Sequence, residues 1–104
     1  MKIVRVTYTT QPGYAGQNAG NIQQVMSDLR ELGSPGLFYH VCLGADGKTF
    51  THTAFFEKDE CEKVLFDLVS FQTFQQQLKA SLPETPPASE KLSLVGSSQP
   101  LFKD

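Results

Sequence analysis

Two alternating runs, GLFYHVCLG and KTFTHTAFF, flank Asp46-Gly47, and such an arrangement leaves little choice besides an antiparallel hairpin. An Asp-Gly pair suits the positive φ angles of a type I′ turn, so strands over about 37–44 and 48–56 are expected, with Asp46 and Gly47 at the centre. That register sets Ala45 against Lys48, Leu43 against Phe50, Val41 against His52, His40 against Thr53 and Tyr39 against Ala54. Side chains alternate along a strand. One face therefore carries Leu37, Tyr39, Val41, Leu43, Phe50, His52, Ala54 and Phe56. The other carries Phe38, His40, Cys42, Thr49, Thr51, Thr53 and Phe55. His40 and His52 fall on opposite faces, which argues against a shared metal or a two-histidine acid–base pair. The more apolar His52 face is expected to meet the helices and any cavity, and the Thr-rich face, with His40 and Cys42, to meet a second copy of the chain.

The remaining elements follow from period and punctuation. Residues 3–9, IVRVTYT, alternate as a first strand, with Val4, Val6 and Tyr8 on one side and Arg5, Thr7 and Thr9 on the other. The Gly/Asn-rich QPGYAGQNAGN is a loop in which Asn18 or Asn21 can cap a helix over about 18–32. Ile22, Val25, Met26, Leu29 and Leu32 form that helix's apolar stripe, and Gly33-Ser34-Pro35-Gly36 ends it. The segment from Lys58 to Leu82 reads as a second helix, capped by Asp59 and broken near Ser70. Its apolar faces are Val64, Leu65 and Leu68, then Phe71, Phe74, Leu78 and Leu82. The prolines of PETPPASE cannot continue a helix, and KLSLVG, about 91–96, reads as a last strand.

Composition narrows the function classes. A chain of 104 residues suits one domain, here 1–104 with a core over about 2–97 and a polar tail over 98–104. A net charge of −2 and a pI near 5.6, with no Lys/Arg run, give no footprint for nucleic acid or an anionic membrane. The alternating, polar N-terminus does not read as a signal peptide, and no apolar run approaches a membrane span, so a cytoplasmic location is expected. Cys42 and Cys61 lack a CxxC spacing and suit two reduced thiols. Neither has a basic neighbour in sequence to make it a nucleophile. Eight Phe without Trp can form one core, but a sheet this small often completes its burial against a second copy, so a homodimer is expected.

The order β-α-β-β-α-β is the split βαβ, or ferredoxin-like, α+β arrangement: a four-stranded antiparallel sheet with both helices on one face. Three stretches add detail. Ser34-Pro35-Gly36-Leu37-Phe38-Tyr39 resembles the PG-x-x-x-Y/F leading into the second strand of the dimeric α/β barrel superfamily, which includes the antibiotic biosynthesis monooxygenases. Phe50–Glu57 lies where that family's third strand ends in E-x-W, and Ser70-Phe71-Gln72-Thr73-Phe74 is similar to its S-x-x-F. Ala54 replaces the family's acidic residue and Phe56 its Trp. The haem-degrading branch uses an Asn, a Trp and a His where this chain offers Thr7 or Thr9, Phe56 and no histidine, so haem degradation is disfavoured.

The resemblance implies two sheets packed across a dyad and, in some relatives, cofactor-free oxygenation of polyphenolic substrates within each protomer. On that reading His52 and Tyr39 are the catalytic candidates. An imidazole titrating near neutrality could take a phenolic proton, while a phenol hydroxyl could orient a substrate. Tyr8, Phe50, Phe56, Phe71 and Phe74 are candidate substrate-binding residues for a small aromatic ligand, and His40, Cys42, Thr51 and Thr53 candidate dimer contacts. No cofactor and no metal are expected. Each of these side chains also has a plainer reading, as core or interface packing. The alternative function is accordingly a non-catalytic dimeric ligand-binding or interaction protein.

Overall fold

The computed structural model describes residues 1–102; Lys103 and Asp104 of the expected polar tail lie outside them. Strands β1 (Lys2–Thr9), β2 (Leu37–Leu43), β3 (Thr49–Phe56) and β4 (Thr85–Leu92) form one sheet in the order β2-β3-β1-β4. All three pairings are antiparallel. Helices α1 (Ala15–Leu32), α2 (Asp59–Phe66) and α3 (Val69–Ala80) complete the ferredoxin-like α+β fold. The core gathers Tyr8, Phe50, Ala54 and Phe56 from the sheet with Ile22, Val25, Leu65, Phe71, Phe74 and Leu78 from the helices. Each large apolar side chain so removed from water contributes about 2–3 kcal/mol.

The hairpin register is the expected one, from Leu43 opposite Phe50 to Leu37 opposite Phe56. The turn is different. Only Gly47 has a positive φ, +76°, so a type I′ pair at Asp46-Gly47 does not form. Instead the Gly47 N–H donates to the Gly44 carbonyl at 3.0 Å, and the Asp46 carboxylate accepts from the backbone N–H groups of Lys48 and Thr49 and from the Thr49 hydroxyl. These bonds, led by the Thr49 hydroxyl, hold the Asp46 carboxyl down to about 2. The register survives because the longer loop spans the same pair of strand ends.

Several helix expectations are corrected. A short 3-10 turn, Pro12–Tyr14, leads directly into α1, whose N-cap is Tyr14. Asn18 and Asn21 therefore lie inside the helix rather than at its start. At the other end Gly33, with φ +66°, closes α1 by donating to the Leu29 carbonyl. Leu32, expected on the apolar stripe, is 56% exposed. The second helical segment divides two residues before Ser70, at the extended Leu68, and its cap is Lys58 with Asp59 in the first turn. Leu82 is also exposed, at positive φ beyond α3.

The largest correction concerns β4, which runs over Thr85–Leu92 rather than 91–96. Pro86 and Pro87 lie within it. Prolines withhold the N–H a central strand needs, yet an edge strand pairs on one side only, and here a bulge accompanies them. Thr7 faces Ala88 and Thr9 faces Thr85, so two steps along β1 match three along β4.

Gly36, just before β2, is buried against α2. A methyl group there would come within 2.4 Å of Cys61 Sγ and 3.3 Å of Glu57 Cβ. Gly36→Ala is expected to destabilise the fold by about 1–3 kcal/mol. Chemical denaturation should show that Cys61→Ala in the same chain recovers most of the loss.

Candidate active site

The β1–β3–β2 ladder places His52 between two tyrosines. His52 lies opposite Val6 and Val41, while Tyr8 and Tyr39 lie two residues further along in opposite directions, facing Phe50 and Ala54. Both are therefore diagonal neighbours on the helix-facing side, within reach of long aromatic side chains. The Tyr8 hydroxyl lies 2.7 Å from His52 Nε2 and the Tyr39 hydroxyl 2.5 Å from Nδ1. From α1 the Asn18 amide donates to the Tyr8 oxygen at 2.8 Å. Phe74 packs against the His52 ring and Phe71 against Tyr39.

Counting donors gives this chain a direction. The Tyr8 oxygen already receives the Asn18 N–H, so its own proton goes to Nε2; the Nδ1 proton of the neutral ring then goes to the Tyr39 oxygen. The Tyr39 O–H is left as a donor toward the cavity. Asn18 and Tyr8 are fully buried, His52 is 5% exposed and Tyr39 half-buried. Burial drives the His52 pKa down to about 4 and pushes both tyrosines up, Tyr39 also through its proximity to Tyr8. Near neutral pH the relay is uncharged.

Beside it lies a cavity of about 620 Å³ between the sheet and α2–α3, a size suited to a small organic ligand. Tyr8, Tyr39, His52, Phe56, Phe71 and Phe74 all line it, with Val4, Val6, Ala54, Leu65 and Leu78 adding apolar wall. Phe50 does not; it stacks behind Tyr8, ring centroids 5.6 Å apart. His40, Cys42, Thr51 and Thr53 belong to the helix-free face, where Phe38 stacks on Phe55 and His40 meets both rings. Cys42 and Cys61 are both free thiols. Among the described residues no group of His, Cys, Asp or Glu is arranged to hold a metal ion, and no helix is long and apolar enough to cross a membrane.

Sequence reasoning missed one member of the relay and several cavity residues. Asn18 lies at i−4 and i−7 from Ile22 and Val25, so it interrupts the buried stripe of α1 with a polar group. That was the available signal. Pro83, Pro86, Pro87, Ser89 and Lys91 reach the cavity from β4 and the loop before it.

No protein-family model matches the sequence, and no curated protein is significantly similar to it. Solved structures are similar in three dimensions. An antibiotic biosynthesis monooxygenase superposes with a TM-score of 0.76 at 10% identity, over 92% of this chain and 100% of the other. The fold is that of the antibiotic biosynthesis monooxygenase-like proteins. Rv0793 from Mycobacterium tuberculosis gives 0.76 at 13% identity, over 94% and 98% of the two chains. NE2512, a protein of unknown function from Nitrosomonas europaea, gives 0.72 at 18%, over 95% and 94%. The monooxygenase-like fold thus spans nearly the whole of this chain.

The buried relay has a measurable consequence. The unfolded chain takes a proton on His52 near pH 6.5 and the folded chain only near pH 4, so the unfolded state binds more protons in between and stability falls as pH falls. Between pH 7 and pH 5 this contributes a loss of about 2 kcal/mol. Urea unfolding across that range is expected to show the slope in the wild type and a flatter one in His52→Gln.

Proposed function

We propose that this protein is a small cofactor-independent monooxygenase that admits an aromatic, phenol-bearing substrate to the cavity beside Tyr39 and His52. The observation that carries the reading is the hydrogen-bonded Asn18–Tyr8–His52–Tyr39 chain, whose last hydroxyl is left to meet a ligand beside the aromatic wall of the cavity. The monooxygenase-like fold supports it.

In this scheme the substrate oxygen accepts the Tyr39 O–H, and that hydrogen bond stabilises the phenolate left when the substrate's own proton passes to water at the cavity mouth. The phenolate reduces O2 by one electron, the two radicals combine at a ring carbon, and loss of water leaves a quinone. One oxygen atom enters the product and the other leaves as water, so O2 is the only oxidant required. The protein supplies positioning and a fixed hydrogen-bond donor to the phenolate oxygen. Phe71 and Phe74 would stack on the ring.

The second reading, a non-catalytic ligand-binding protein, is favoured by one specific observation. His52 holds both ring nitrogens in hydrogen bonds and has its pKa lowered to about 4, which makes it a weak resting base. Under either reading we assign the helix-free sheet face, with its Phe38–His40–Phe55 cluster and threonines, to contact with a second copy.

Incubation with polyhydroxylated naphthalenes under labelled oxygen separates the two readings. Protein-dependent incorporation of one labelled atom, reduced about 100-fold in Tyr39→Phe at a temperature where circular dichroism shows the variant folded, is the expected result. Binding of the same phenols without incorporation would leave the ligand-binding reading. Light scattering on a sizing column is expected to give twice the 11.5 kDa chain mass, and a monomer would remove the assignment of the open face.

A further inference from the structure

The cavity has a charged mouth. Of the ionisable side chains that line it, Glu62 is the sole carboxylate, and it is held by Lys2 at 2.8 Å. Lys79 and Lys91 also line it, are exposed, and belong to none of the ion pairs among the described residues. They come from opposite lips: Lys79 from the end of α3 and Lys91 from β4. A chain with a net charge of −2 thus presents three lysines and one glutamate around this cavity.

The ladder relates this mouth to the relay. Tyr39 faces Ala54, Ala54 faces Val4 and Val4 faces Lys91, so the phenol and the ammonium start from one row of the sheet. Three strand spacings separate their backbones by about 14 Å. The two residues between them are small and apolar. A ligand lying along this row meets a neutral hydrogen-bond donor at one end, Ala54 and Val4 beneath its ring, and positive charge at the other end.

We propose that the cavity takes a hydroxylated aromatic carboxylate, with its hydroxyl at Tyr39 and its carboxylate between Lys79 and Lys91. The proposal rests on the reading of the cavity as a substrate site and names the substrate class. A carboxylate placed among these lysines gains Coulombic attraction that a neutral ester of the same shape cannot, and the gain shrinks as salt screens it. Free phenols without an acid group would bind through the relay end alone.

The test is calorimetric titration with 6-hydroxy-2-naphthoate and its methyl ester, which share one ring system and one hydroxyl. Wild type is expected to bind the acid at least about tenfold more tightly than the ester at low salt, the ratio narrowing in high salt. Lys79→Gln with Lys91→Gln should bring the two within about twofold, and both lysines are exposed enough for the fold to tolerate the change. Tyr39→Phe should weaken acid and ester alike. Equal binding of acid and ester by wild type, failure of both to bind, or a preference that survives the double variant would overturn the proposal. Labelled-oxygen incorporation keeps the two readings apart. An acid preference without turnover upholds the ligand class and defeats the oxygenase, whereas turnover of neutral phenols without an acid preference does the reverse.

Discussion

The pairing of β3 with both β1 and β2 is the constraint on which the site depends. His52 has a tyrosine on each neighbouring strand, each offset by two residues and each on the same face. A slip of one residue in either pairing would turn a tyrosine to the opposite side of the sheet and leave a ring nitrogen unpaired in the core. Register and polar satisfaction therefore enforce each other. The β1 side is further anchored where Thr10, fully buried, donates its backbone N–H to the Lys48 carbonyl at the turn end of the hairpin.

Burial then decides the chemistry. A histidine in water would titrate near neutrality, but here it is surrounded by Phe74 and two phenols and stays neutral far below that. The tyrosines, pushed upward for the same reason, remain hydrogen-bond donors across the whole ordinary pH range. The floor of the cavity is polar without being charged, and charge is kept at the mouth, where water can solvate the lysines. This separation suits a ligand with one neutral polar end and one anionic end.

Much of this was legible in the chain because local patterns agreed with the final packing. The hairpin alternation set the register and put Tyr39, His52 and Phe56 together on the helix side, and the α1 period gave Ile22 and Val25 as core. The Asp46 turn shows the limit. A four-residue loop and a two-residue turn can close the same register, and the choice rests on hydrogen bonds to the Asp46 carboxylate that dipeptide preference does not encode. Exposure at helix ends was equally hidden: Leu32 and Leu82 continue an apolar spacing past the point where a neighbour exists to cover them.

By itself the sequence determined the element order, the antiparallel hairpin and the division of β3 into an aromatic, histidine-bearing face and a threonine face, because side-chain alternation is a property of the strand alone. Only the tertiary structure decided that the proline-containing segment Thr85–Leu92 is a strand, since tolerance of proline depends on its lying at a sheet edge. It alone brought Asn18 onto Tyr8 and Tyr8 onto His52, side chains ten and forty-four residues apart in sequence. And it alone placed Lys79 and Lys91 around one cavity, because a cavity is the space left between elements and no single element carries its outline.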